Sequence, residues 1–184
     1  MLHYWYTVLK ILIMRRFQPK LAFDQTLERT FRVRLMDCDG LRVMTASKYP
    51  AYMDFIRWEL LARSPLYHSI IKRGLAPTLG SQKLIYRKPL KRWTRFVLAL
   101  ETMGWDEKWV YHAHYFRQNG QLMAIGLTRA LIWKRDVPHL MADIIREAGG
   151  TEAVKPPPTW IAKLFADDKA IINDATEAIG AEHG

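Results

Sequence analysis

The feature that most constrains this chain is one strongly apolar helix pattern followed by a series of alternating strands. Tyr49, Met53, Ile56 and Leu60 recur at spacings of four, three and four, with Phe55 and Trp58 beside them. That period marks a helix face that must be covered by another layer. Pro50 stands where a first turn tolerates proline, and Ser64-Pro65 marks the helix end. A short helical piece is expected around 67–73, and strands over 82–87, 95–103, 109–117 and 122–133. Gly104-Trp105-Asp106-Glu107 and Gln118-Asn119-Gly120 separate these runs, and Asn-Gly between two alternating segments predicts a two-residue hairpin. Upstream, Phe31, Val33 and Leu35 alternate with Arg32, Arg34 and Met36, which predicts a strand over 30–36 running straight into Asp37. A strand, a helix and then about four antiparallel strands with short turns imply one curved sheet wrapped over one helix.

The flanks have a different character. Leu2 to Met14 is apolar and aromatic around Lys10, with Arg15 and Arg16 directly after it. A membrane-spanning helix needs about 20 apolar residues, and a signal peptide carries its charges before the apolar run, so neither description fits. Two readings stand: a helix packed on the domain or on a partner subunit, and a helix lying in a membrane interface, for which Tyr4, Trp5 and Tyr6 beside a basic end are suited. Beyond Arg135 a helix is expected over 138–148, ended by Gly149-Gly150; Lys155-Pro156-Pro157-Pro158 reads as a stiff linker, and 160–172 as a last amphipathic helix. The expected divisions are therefore a helix over 1–20, one domain over 21–136 and a helical extension over 137–184.

Composition narrows the partners. With 49% hydrophobic residues in 184, the chain can build a sizeable core. The single cysteine, Cys38, forms no internal disulfide, and no Cys/His group has metal-ligand spacing, so a cytoplasmic location and a metal-free mechanism are expected. A net charge of +10 favours anionic partners, whether nucleic acid, anionic lipid or a nucleotide-like group, although a solvated basic face explains it equally. Nucleic acid is the weakest of these, since no recognised motif is present and a helix across a sheet covers one of its faces.

The chemistry gathers in Asp37-Cys38-Asp39-Gly40-Leu41-Arg42-Val43-Met44-Thr45-Ala46-Ser47-Lys48-Tyr49. A carboxylate beside a helix N-terminus can attack a carbonyl carbon or activate water, and first-turn N–H groups can hold the resulting oxyanion. Short acidic side chains also cap helices and form turns; structure is assigned to Asp37 and function to Asp39. This run resembles the D-x-D-x-x-G-x-V/M-x-x-x-x-Y segment of 4-hydroxybenzoyl-CoA-type thioesterases of the hotdog superfamily. Residues 49–61, the basic stretch 83–95 and Gly104-Trp105-Asp106-Glu107-Lys108-Trp109 are similar to an acyl-CoA thioesterase branch with a short apolar N-terminus, and the resemblance extends from Met1 to about Arg135.

The resemblance implies an α+β hotdog fold, a curved antiparallel sheet around a long central helix with extra helices at both ends. It also implies hydrolysis of an acyl-CoA or acyl-carrier thioester by a homodimer or dimer of dimers, with coenzyme A as part of the substrate and no other cofactor. Asp39 matches the catalytic carboxylate and the Ala46 N–H the polarising amide. Thr45 and Ser47 are read first as N-caps; orienting water is the alternative for both, and Thr45 stands among the catalytic candidates. Arg42, Val43, Met44 and Tyr49 are candidate substrate contacts. The chain departs from the branch at Val43, Thr45 and Ala46, where His, Asn and Asn are usual, and at Arg42, where a small residue is usual. Those losses keep a non-catalytic acyl-CoA or lipid-binding protein in view. Lys83, Arg87, Lys88, Arg92 and Trp93, with Lys91 and Arg95, suit the phosphates and adenine of coenzyme A, or simply protect an edge strand. Asp54 and Glu59 rank second as acids, Asp54 pairing with Arg57 at i+3. Trp105 and Trp109 are expected to pack, and His112 and His114 to lie on the sheet surface or at an interface.

Overall fold

The computed structural model describes residues 2–40, 42–134, 137–147, 149 and 154–182. The long apolar pattern becomes helix α2, Lys48–Arg63, and every strand of the sheet pairs antiparallel around it. In chain order the elements are α1 (Leu2–Met14), β1 (Leu27–Arg32), α2, α3 (Leu66–Lys72), β2 (Ala76–Tyr86), β3 (Arg95–Trp105), β4 (Val110–Gln118), β5 (Gln121–Lys134), β6 (Val137–His139), α4 (Met141–Glu147), α5 (Thr159–Leu164) and α6 (Asp168–Glu182). The strands lie in the order β1-β3-β4-β5-β2, with β6 also on β5. This is the expected curved antiparallel sheet around a long helix.

Local chemistry explains the turns. Asn119 and Gly120 both take positive φ, 49° and 75°, as a primed hairpin turn requires, and Gln118 pairs with Gln121 across it. At the β3–β4 connection the Asp106 carboxylate accepts the N–H groups of Lys108 (2.8 Å) and Trp109 (2.7 Å), and the Tyr111 hydroxyl donates to its other oxygen at 2.7 Å. The Gly-Trp-Asp-x-Lys-Trp element is thus a turn held by one carboxylate.

Helix α2 is covered on both sides. Its Met53, Ile56 and Leu60 face the sheet, where Leu98, Leu100 and Phe116 are fully buried. On the other side Tyr4, Val8, Ile11 and Leu12 of α1 join the same core, Tyr4 lying 5.4 Å from the Phe55 ring. The packed reading of the N-terminal helix therefore holds for this face. A second cluster joins α3 and α4 to β4 and β5 through Ile70, Ile144 and Ile132. A third seats Ile161 and Phe165 on Tyr111, Ala113 and Leu127, covering the outer face of the sheet.

Three expectations change. The first strand is Leu27–Arg32, and the chain beyond Val33 winds into a 3₁₀ turn, Leu35–Asp37. The Asp37 carboxylate accepts the Arg34 N–H at 2.9 Å, which ends the extended run and leaves Leu35 and Met36 exposed. The helix expected over 138–148 is shortened to α4, because Val137–His139 pair with β5 first; its expected end at Ala148 lies outside the described residues. The last helix divides into α5 and α6, since Phe165 and the residues after it form turns while Phe165 is buried on the sheet.

The proline segment is strapped to β3. Trp105 and Lys155 exchange two backbone hydrogen bonds, 2.6 and 3.0 Å, beside Gly104, whose φ is +141° and whose missing side chain leaves room for the Lys155 carbonyl. Gly104→Ala would both strain the backbone and push that carbonyl away. It is expected to lower stability by about 1–3 kcal/mol, read from urea denaturation, and to speed hydrogen exchange at the Trp105 and Lys155 amides.

Candidate functional site

The loop entering α2 is built around the buried carboxylate of Asp37. Besides the Arg34 N–H, that carboxylate accepts the Tyr52 hydroxyl at 2.7 Å, and Lys48 Nζ stands 4.0 Å away. Burial and the adjacent Asp37 push the Tyr52 phenol up from its ordinary value, so it stays protonated and donates. The Asp37 carbonyl accepts the Thr45 N–H at 2.9 Å and, more loosely, its hydroxyl at 3.4 Å. The residues between are drawn into a tight loop: Asp39 N–H donates to Val43 at 3.1 Å and Arg42 N–H to Asp39 at 3.2 Å. Arg42 adopts a positive φ of 63° to close it, a conformation that costs a non-glycine residue about 1 kcal/mol or more. Met44 N–H to Leu90 (2.8 Å) and Arg92 N–H to Arg42 (2.9 Å) then pin the loop to the turn before β3.

Asp39 stands at the tip of this loop, exposed. Behind it Met44, Ala46, Tyr49, Arg87 and Lys88, five residues singled out from the sequence, line one cleft of about 300 Å³ with Tyr86 and Pro89. Tyr49 is buried there between Tyr86 (5.0 Å) and Phe116 (4.9 Å). The cleft lies at the start of α2. Ser47 is in the N-cap position without a side-chain cap, because its hydroxyl faces that of Thr45 at 3.2 Å. The N-capping expected of these two is therefore not made. Among the described residues the Ala46 N–H has no hydrogen-bond acceptor, while its carbonyl faces the Tyr86 hydroxyl at 3.5 Å. The arrangement offers backbone donors and the positive end of a 16-residue helix to an electron-rich group in the cleft.

The remaining candidates lie around the cleft without lining it. Thr45 holds the loop, Val43 bridges Lys91, Arg42 is exposed and Arg92 is half-buried. Trp93, at a positive φ of 68°, is half-exposed between the guanidinium groups of Arg32 (5.7 Å) and Arg92 (5.8 Å). Lys83 is exposed on β2. Cys38 is no ready nucleophile: desolvation, then Asp37, push its thiol up, and Sγ donates to the Arg34 carbonyl at 3.3 Å.

The helix carboxylates are engaged elsewhere. Glu59 is buried and held by Arg29 and by Arg63 at 2.7 Å. Asp54 pairs with Arg57, which reaches the inner face of the sheet. His112 and His114 are there too, buried rather than on the sheet surface, because this is the face that α2 covers. Arg57 Nη1 lies 3.3 Å from His114 Nε2; a guanidinium only donates, so the proton of His114 is on Nδ1, which donates to the Gly126 carbonyl at 3.2 Å. Among the described residues His112 Nδ1 has no partner, nor has the hydroxyl of Thr128 directly across from it. His112, Arg57 and Asp54, with Ser64 and Thr78, are the polar part of the lining of a mostly apolar cavity of about 160 Å³ among α2, α3, β2, β4 and β5, the size of voids that accept a benzene ring. Sequence reading missed this group because Arg57 looks like a surface partner of Asp54; the cue was two histidines at i and i+2 on one strand face.

Residues 33–164 match the Thioesterase-like superfamily. The fold is similar to a probable thioesterase from Escherichia coli (TM-score 0.62, 15% identity, 66% of this chain and 95% of that one). It is also similar to a DHNA-CoA thioesterase from Staphylococcus aureus (0.59, 13%, 82% and 95%) and to a 1,4-dihydroxy-2-naphthoyl-CoA thioesterase from Synechocystis (0.56, 18%, 67% and 95%). No curated protein matches the sequence. At these identities the structural likeness establishes the fold.

Burial, and then the charge of Arg57, pull His112 down to about 3; His114 is lowered for the same reasons. In the unfolded chain each protonates near 6.5, so over that window the unfolded state binds more protons. The stability these residues contribute is present above 6.5 and lost as the pH falls toward about 3. His112→Phe should flatten the acid limb of a stability-against-pH curve by roughly 1 kcal/mol per pH unit, measured by urea denaturation.

Proposed function

Because the chain belongs to the thioesterase-like superfamily, we propose that it hydrolyses an acyl thioester of coenzyme A, or of an acyl carrier, in the cleft at the start of α2. The observation that carries this reading is the Ala46 N–H, without an acceptor among the described residues, at a helix N-terminus that the Ser47 side chain does not cap, beside Arg87 and Lys88. The thioester oxygen accepts from that amide. Asp39 takes a proton from a water whose oxygen bonds to the carbonyl carbon, or adds to that carbon itself to form an anhydride that water then opens. As the tetrahedral intermediate collapses, the carbon–sulfur bond breaks and the thiolate takes up the proton, leaving a free acid and a thiol. Arg87, Lys88 and Arg92 receive phosphates, and Trp93 offers its exposed ring to the adenine.

A single chain leaves Asp39 facing outward, and the reading includes a second copy that covers it. The 11-residue edge strand β2 supports this: it is bonded on one side only, with Leu79, Ile85 and Tyr86 exposed, an edge that a twofold partner can extend.

A second reading, binding of an acyl-CoA without hydrolysis, is favoured by the side chains at Val43, Thr45 and Ala46, which supply no imidazole or amide to the cleft. Thiol release over a panel of acyl-CoA thioesters separates the two. Hydrolysis should fall about 10²–10⁴-fold in Asp39→Asn with binding retained. Binding without release in the unaltered protein would establish the second reading, and undiminished release in the variant would remove Asp39 from the mechanism. Arg87→Glu with Lys88→Glu should raise KM for the CoA thioester, with a smaller effect on kcat, in steady-state kinetics.

A further inference from the structure

Helix α1 is apolar on two opposite faces. One, made by Tyr4, Val8, Ile11 and Leu12, is packed into the core. The other carries Trp5, Leu9 and Ile13, one turn apart each, with Tyr6 between them and Phe17 just beyond; each of these five is more than half exposed. A helix that is apolar on both faces belongs in a core or against lipid, and among the described residues nothing covers the outer stripe. A patch of this kind marks a contact surface.

Its neighbours indicate what the surface meets. Lys10 lies at the edge of the stripe, and the first acidic residue of the chain is Asp24, which is paired with Lys155. Where α1 ends, a hollow of about 750 Å³ between its C-terminal turn and α3 is lined by Arg15, Arg16, Lys20, His68 and Lys72 among others, and by no carboxylate. Arg15 is fixed there, its guanidinium 3.8 Å over the Tyr67 ring, while Arg16, Lys20 and Lys72 are exposed. Two copies packed symmetrically through this stripe would bring like charges together. An anionic bilayer satisfies both parts at once, the aromatic and aliphatic side chains entering the interface and the cations meeting phosphates.

We propose that the outer face of α1 and the adjoining basic hollow dock this protein on the surface of an anionic phospholipid bilayer. The helix lies in the plane of the interface: its 13 residues extend for about 20 Å at 1.5 Å each, against about 30 Å of hydrocarbon, and among the described residues no helix is long and apolar enough to cross. Of the three aromatics at the start of the chain, Trp5 and Tyr6 face the lipid and Tyr4 faces the core. This inference is independent of the hydrolase reading.

The test is co-sedimentation of the full chain with vesicles of phosphatidylcholine alone and with about one third phosphatidylglycerol. Partition into the anionic vesicles should be at least about tenfold stronger and should weaken as salt is added. Trp5→Ser with Leu9→Ser, and separately Arg16→Glu with Lys72→Glu, should each reduce it by about tenfold or more with the thermal midpoint kept, because these side chains are exposed. Equal partition into neutral vesicles, no partition, or full partition by both variants would overturn the proposal. So would a Trp5/Leu9 variant that still binds vesicles but sediments as a smaller species, which would make the stripe a contact between copies.

Discussion

Everything in this structure follows from the enclosure of α2. The sheet covers one side and α1 the other, so the charges that α2 carries have to be neutralised locally, since a lone buried charge is costly. Glu59 is gripped by Arg29 and Arg63, and Arg57 by Asp54 and the acceptor nitrogen of His114. These contacts tie β1, α2 and β4 together. They also withdraw the helix carboxylates from chemistry.

What remains available is the end of the helix. A buried helix cannot satisfy its first N–H groups from within, and here the Ser47 side chain at the N-cap does not take them up. Asp37, which the sequence offers as one of two aspartates, is spent on the Arg34 amide and the Tyr52 hydroxyl. That bracing holds the loop so that Met44 and Ala46 enter the cleft while Asp39 is carried outward. A hydrolytic role for Asp39 therefore depends on how a second copy meets β2 and the loop.

The chain beyond the helix and four strands is part of the same economy of burial. Ile161 and Phe165 cover the outer face of the sheet, which otherwise would expose Ala113 and Leu127, and the strap at Lys155 positions them. On the opposite side α1 covers α2 but leaves its own outer stripe uncovered.

The sequence by itself determined the alternating strands, the Asn119-Gly120 turn, the core face of α2 and the structural role of Asp37, because these depend on periodicity and on groups a few residues apart. It missed one local event, the end of the extended run past Val33 where Asp37 captures the Arg34 amide, and it failed where a distant partner decides: His112 and His114 are buried because α2 lies across their strand. Only the tertiary structure could decide which of the polar residues line the cleft and which are spent on neighbours, or which apolar face of α1 is left bare. Alternation shows which residues share a face, but the free energy that buries one face and not the other comes from the element packed against it.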